Sequence, residues 1–283
     1  MMNSNWFIPF SWIMVALSFV TSLIINPLLG VAGPPIVFFS AIPLVLVHGC
    51  RRYGLKNMTI FLVVTFVFST FWETMSIHTG FPFGHYHYTM KPQFPGGVPI
   101  LIPVAYISLS YICWHVANAI LGEMDTKLNK ISAAFVLATL ASVVMTVYDL
   151  ATDSMASTLN QSWIWEQGGA LFGVPVSNYL GWWFCTFTFY LTFSLILLRK
   201  KSQEAFVKSD RLSVLQFILI YGNLGITVFV AKLIGYFGPG VVIDPAGTSW
   251  NRGDLGGAML LFVVFGMFVL VFLALINLFR IGR

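Results

Sequence analysis

Eight separate stretches of the chain each carry roughly the 20 mostly apolar residues that a helix needs to cross a bilayer. They fall at about 6–26, 34–50, 58–77, 99–121, 131–150, 177–198, 212–237 and 257–279. Charged residues make up only 9% of the 283 positions, against roughly 25% in an average soluble domain. A water-facing surface cannot be covered with so few charges, which excludes a soluble enzyme, a secreted disulfide scaffold and a disordered chain. The expected fold class is all-α, a polytopic integral membrane bundle of about eight transmembrane helices. With no internal repeat, low-complexity tract or linker, residues 1–283 read as a single transmembrane domain.

The second stretch is the shortest, fenced by Pro34–Pro35 and Arg51–Arg52, and Pro43 inside it predicts a kink. The first stretch lacks the basic flank and small-residue cleavage site of a signal peptide and is expected to stay as a helix. Cys50, Cys113 and Cys185 are far apart in apolar surroundings and read as small buried hydrophobes.

Eight crossings put both termini and the 2–3, 4–5 and 6–7 loops on one face. That face takes Arg51, Arg52, Lys56, Lys127, Lys130, Arg199, Lys200, Lys201, Lys208, Arg211, Arg280 and Arg283, 12 of the 15 basic residues. The opposite face takes Lys91 and Arg252, while Lys232 lies within helix seven. The positive-inside rule then predicts a multi-pass protein of the cell membrane with both termini cytoplasmic. It also explains the net charge of +5 without a nucleic-acid partner.

Chemistry-bearing residues gather on the other face. Its loops are rich in Gly, Pro and aromatic residues, a composition that predicts ordered, folded-back chain. Glu73 ends helix three there, and Asp149 and Asp153 end helix five, four residues apart and so on one helical side. Asn178 opens helix six, as an N-cap or a substrate contact. Lys232 approaches the same face, either to pair with Glu73, to bind substrate or to extend toward lipid headgroups. Glu166 and Asp244 occupy adjoining loops, and Asp254 lies at the same end. Acids at membrane depth are costly and default to function. Glu123, Asp125, Glu204 and Asp210, by contrast, sit among lysines and arginines and read as solvated loop acids.

His85 and His87 alternate with Tyr86 and Tyr88, so an extended segment turns both imidazoles one way. With His78 they form a candidate metal site, but no carboxylate ligand is evidently placed and the alternation equally suits a lid, so no metal is expected. His48 and His115 stand alone in helices and read as core residues.

Glu73 with the run Thr79-Gly-Phe-Pro-Phe-Gly-His-Tyr-His-Tyr88 resembles the region after the third helix of the membrane carotenoid hydratases, the bisanhydrobacterioruberin and γ-carotene hydratase group. Asp149, Trp163 and Trp165, then Phe172-Gly-Val-Pro-Val-Ser-Asn-Tyr-Leu-Gly-Trp182, resemble that family's second block, and the entry at Gly97-Val-Pro-Ile-Leu-Ile-Pro103 fits as well. The resemblance spans about residues 70–185, with one departure: Ser154 follows Asp153 where a proline is expected.

The resemblance implies a hydro-lyase of carotenoid biosynthesis. It would add water to the terminal C=C of an acyclic (ψ) end group of a lipid-soluble carotenoid, such as bisanhydrobacterioruberin, γ-carotene or lycopene, to give a tertiary alcohol. Contact with other membrane enzymes of carotenoid biosynthesis is an expected partnership. The residues themselves can support such chemistry. A carboxylic acid in apolar surroundings holds its proton near neutral pH and can donate it, which suits Glu73. Asp149, expected nearer solvent, suits the base or water orienter, with Asp153 as a third catalytic candidate. His78, Phe83, Tyr86, Tyr88, Trp165, Asn178, Trp182 and Lys232 are the substrate-binding candidates, their aromatic faces (with Phe81) able to stabilise a cation. No nucleotide motif is present and acid–base hydration needs no cofactor.

Two other readings remain open. Asp149-Leu-Ala-Thr-Asp153 echoes the Asp-rich repeats of prenyltransferases, but the basic residues needed for a diphosphate are on the wrong face. A transporter would spread its polar residues along whole helices rather than gather them at one end.

Overall fold

A computed structural model describes residues 6–28, 35–200 and 211–280. Pro34, Lys201, Glu204, Lys208, Asp210 and Arg283 lie outside the described residues, as does the side chain of Lys200. The described residues are all-α apart from two small hairpins. Among the described residues seven helices are long and apolar enough to cross a membrane, and one of them, within Pro35–Thr79, is broken in two. A straight helix of its 45 residues would measure about 68 Å, more than twice the roughly 30 Å of bilayer hydrocarbon. Gly54 interrupts it with φ 76°, ψ 159°, a left-sided conformation open to a residue without a Cβ. Beyond Gly54 the chain doubles back. Met58 packs onto Gly49, and the rings of His48 and Phe61, 13 residues apart, both lie within 6 Å of the Tyr111 ring, at 5.9 and 5.5 Å.

The helical segments are therefore α1 (Phe7–Leu28), α2 (35–53), α3 (55–79), α4 (Leu101–Ile120), α5 (Ile131–Leu159), α6 (Val176–Lys200), α7 (Arg211–Leu233) and α8 (Arg252–Arg280). Pro43 does not break its helix, since Gly54 alone departs from helical geometry between Pro35 and Thr79. Two boundaries move in ways that matter. A π-turn at Met155–Leu159 extends α5 past the expected end at 150, so Asp153 lies inside the helix rather than at its tip. Helix α8 begins at Arg252, capped by Asn251, whose Oδ1 accepts from the Asp254 amide at 3.1 Å.

Helix α4 is the most deeply buried span, with α2, α3, α5, α6, α7 and α8 around it. At the Gly54 end, its C-terminus holds a closed polar cluster. The Arg52 guanidinium donates to Asp125 from Nη2 at 2.8 Å and from Nε at 3.1 Å, and both residues are buried. Tyr53 Oη donates to the same carboxylate and accepts from Trp114 Nε1 at 2.9 Å, while Asn118 Oδ1 accepts the Asp125 amide at 2.8 Å. Asp125 is thus not a solvated loop acid, as its neighbourhood of lysines suggested, but the anchor of the 4–5 loop on the α2–α3 turn. His48 and His115 are buried beside the cluster, their rings 4.9 Å apart, and Cys113 and Cys185 are buried in the core.

Removing one partner of a buried ion pair strands the other, at a cost of about 3–5 kcal/mol. Asp125→Ala is expected to lower the thermal unfolding midpoint in detergent markedly. An unchanged midpoint would contradict the keystone role of this pair.

Candidate active site

The opposite end is built by two loops that pair with each other. Strand β1 (Tyr86–Tyr88) runs antiparallel to β2 (Trp163–Trp165), with Tyr86 opposite Trp165 and Tyr88 opposite Trp163. Side chains alternate across a strand, so this register sends two tyrosines and two tryptophans inward and turns His87 out. Tyr86 and Trp165 are buried, whereas His85 and His87 are exposed. The loop between α3 and β1 is pinned at both sides. Ser76 Oγ accepts from the Phe83 amide at 3.0 Å and donates to Gly84 O at 2.9 Å, and Ser177 Oγ donates to Phe83 O at 2.9 Å. Gly181 on α6 makes this approach possible, because a Cβ there would lie 2.8 Å from Pro82 backbone atoms.

Beneath the paired loops Glu73 receives three phenols. Tyr106 Oη, from α4, donates to Oε1 at 2.8 Å, and Tyr86 and Tyr88 both donate to Oε2, the latter at 3.0 Å. Burial first, and the adjacent Glu73 carboxyl second, push Tyr86 and Tyr88 well above the ordinary tyrosine range, so both remain hydroxyl donors through neutral and mildly alkaline pH. On the facing helices, Asn178 Nδ2 donates to Asp149 Oδ2 at 2.8 Å and to Asp153 Oδ2 at 2.6 Å. Asp153 Oδ1 accepts from Trp163 Nε1 at 2.9 Å. The bond from Asn178 takes Oδ2 and leaves Asp149 Oδ1 without a hydrogen bond among the described residues, and Asp149 lines the space between the two groups.

That space is a cavity of about 270 Å³. Glu73, Phe83, Tyr86, Tyr88, Asp149, Asp153, Trp165, Asn178 and Trp182 all line it, so nine of the eleven residues singled out in the sequence meet at one place. The remaining wall is mostly apolar, with Phe38 from α2, Leu101, Ile102 and Leu109 from α4, and Met155 from α5, interrupted by Thr152, Asn160 and Ser162. Tyr106 stacks on Trp182 with ring centroids 5.0 Å apart.

His78 and Lys232 stand elsewhere. Both are exposed and neither lines the cavity, and among the described residues Glu73 has tyrosine partners only. Lys232 sits in the last turn of α7, where its side chain reaches the surface. Asn178 is not a cap, because α6 already begins at Val176 and its side chain is spent on the two aspartates. Nor is Asp149 nearer solvent than Glu73: each is 3% exposed, since the 160–175 loop folds back over the end of α5. Phe81 faces away, against Trp72 and Phe184. His87 meets only Glu166, at 3.3 Å on the surface, and no three His, Cys, Asp or Glu side chains are grouped for a metal among the described residues. Asp244 orders a different turn, accepting from the Thr248 amide and Trp250 Nε1 between β3 (Val241–Ile243) and β4 (Ser249–Asn251). Tyr106 is the residue that sequence reasoning missed: it lies one turn into an apolar helix with nothing local to mark it.

Residues 33–243, about three-quarters of the chain, match the family described as carotenoid biosynthesis protein. The chain belongs to that family. This carotenoid biosynthesis protein matches no curated protein and no solved structure. The matched span contains every residue of the cavity wall. The apolar helices place it among membrane proteins, and its family gives it a role in carotenoid biosynthesis.

The Gly181 contact is decisive for the loop arch. Gly181→Ala must displace Pro82, and is expected to lower the thermal midpoint and make the 80–88 loop accessible to protease. Gly257→Ala on α8 meets nothing within 4 Å and is expected to be neutral or stabilising by up to about 1 kcal/mol. Equal behaviour of the two variants would contradict the close approach.

Proposed function

We propose that this protein hydrates the terminal C=C of an acyclic carotenoid end group, giving a tertiary alcohol. The observation that carries the reading is the placement of one carboxyl, Glu73, and two others, Asp149 and Asp153, on one cavity walled mostly by aromatic and aliphatic side chains. Hydration of a trisubstituted alkene needs a proton donor on one side, a medium that tolerates a tertiary cation, and a held water on the other.

Glu73 gives its proton to the less substituted alkene carbon. The carboxylate left behind is received by the Tyr86, Tyr88 and Tyr106 hydroxyls, which are already in place and need no reorganisation. Positive charge then lies on the tertiary carbon, facing the rings of Phe83, Trp165 and Trp182, each worth about 0.5–2 kcal/mol to a cation. Water attacks that carbon while Asp149 Oδ1, the open carboxylate oxygen, takes its proton. Asp153, with both oxygens engaged, orients Asn178 and thereby Asp149 rather than touching the substrate. Return of the proton from Asp149 to Glu73 closes the cycle, with one water consumed and no redox change.

A cavity of about 270 Å³ is below the usual range of roughly 300–1,000 Å³ for a whole small-molecule ligand, and suits an end group whose polyene remains in lipid. The basic residues around the Gly54 end support a multi-pass arrangement with both termini cytoplasmic and the site toward the other face.

The test is expression in cells that make lycopene or another acyclic carotenoid, followed by mass spectrometry of the pigments. Gain of one water at an end group is expected. Unchanged pigments, with the protein inserted in the membrane, would sink the reading. Glu73→Gln and Asp149→Asn are each expected to lower the product at least a hundredfold at unchanged protein level, in line with about 10²–10⁴ for a general acid or base. Retained activity in either variant removes that residue from its role.

A further inference from the structure

The main cavity is poor in polar surface, so the water consumed by the reaction needs a defined route and seat. A second, more polar cavity of about 180 Å³ lies next to the first, with Ser157, Thr158, Gln161 and Asp244 in its wall beside Ile164, Ile243 and Pro245. Trp165 lines both. It therefore lies between a largely apolar chamber and a more polar one.

The same indole carries an unspent donor. Trp165 is 4% exposed, yet its Nε1–H has no hydrogen-bond partner among the described residues. It interacts with the Asp153 carboxylate without reaching full hydrogen-bond geometry, whereas Trp163 Nε1 closes on Asp153 Oδ1 at 2.9 Å. Buried donors are nearly always satisfied, by water where no protein acceptor serves. An ordered buried water typically makes about three hydrogen bonds. The unpaired Trp165 N–H supplies one partner and the open Asp149 Oδ1 another, with the Asp153 carboxylate alongside.

We infer that Trp165 seats the attacking water, receiving it from the polar cavity and holding it by its indole N–H against Asp149. This assignment rests on the hydratase reading and gives Trp165 a positioning role distinct from its ring's contact with the cation. Without a seated water, protonation of the alkene by Glu73 still forms the tertiary cation. That cation then loses a proton from a neighbouring carbon to Asp149 and reverts to alkene, so every atom is accounted for without hydration. In heavy water the recovered alkene carries deuterium, because the C–D bond formed by Glu73 is kept when C–H is broken.

The experiment uses the full-length protein in lycopene-containing membranes suspended in D2O. It reads the hydrated product and the deuterium in unhydrated pigment together. Trp165→Phe keeps an aromatic ring and removes the N–H. It is expected to cut hydration about tenfold or more while deuterium uptake continues, raising the exchange-to-hydration ratio by at least the same factor. Ser157→Val, which lines the polar cavity with methyls and leaves the indole intact, is expected to shift that ratio in the same direction, and is read alone if Trp165→Phe does not accumulate. Hydration at the wild-type rate, or proportional loss of both signals in the variant read, overturns the inference. Wild-type protein that produces neither hydrated nor deuterated pigment overturns the hydratase reading itself.

Discussion

A carboxyl group removed from water must be met by hydrogen-bond donors or a cation, and Glu73 is met by three phenols. Two come from a strand that exists only because it pairs with the loop between α5 and α6, and the third comes from the most buried helix. Much else follows from satisfying that one side chain. Tyr86 and Tyr88 can both point at Glu73 only from an extended segment, and β2 is the partner that keeps it extended. Trp163 and Trp165 arrive on the same face as a result, and Trp163 closes on Asp153. The arch over the cavity and the acid beneath it are therefore one arrangement.

The two polar ends of the bundle obey the same rule with opposite outcomes. At the Gly54 end Arg52, Tyr53, Asn118 and Trp114 surround Asp125, charge meets charge, and both Asp125 oxygens are engaged. Such a cluster fixes geometry. At the other end the acids are held by neutral donors, the Trp165 indole N–H is unpaired among the described residues, and a largely apolar cavity adjoins them. Unspent hydrogen-bonding capacity beside room for a ligand is what separates a reactive site from a structural one.

Much of this was legible in the sequence, for physical reasons that differ by residue. Twenty-residue apolar runs report the bilayer directly, so the helical segments emerged with small errors at their ends. The Tyr-His alternation reports an extended segment with both imidazoles on one side, and the pairing with β2 is what turns that side outward. Spacing of four set Asp149 and Asp153 on one face, and both came to the cavity. What failed were inferences from charge alone. Lys232 lies on the right helix at about the right height, but rotation about the helix axis is fixed by packing, which a uniformly apolar span does not encode. Asp125 looked solvated because its sequence neighbours are lysines, while its partner, Arg52, is 73 residues away. Tyr106 was invisible for the same reason: its acceptor sits on another helix.

In the proposed reaction the oxygen added to the carotenoid end group comes from water after protonation by Glu73. This is tested most directly by supplying lycopene-containing membranes that hold the protein with oxygen-18 water under ordinary air. The expected result is a tertiary hydroxyl carrying the heavy oxygen, formed by the wild type and not by Glu73→Gln. A hydroxyl of ordinary oxygen drawn from air, or labelled product at the wild-type rate from Glu73→Gln, would contradict it.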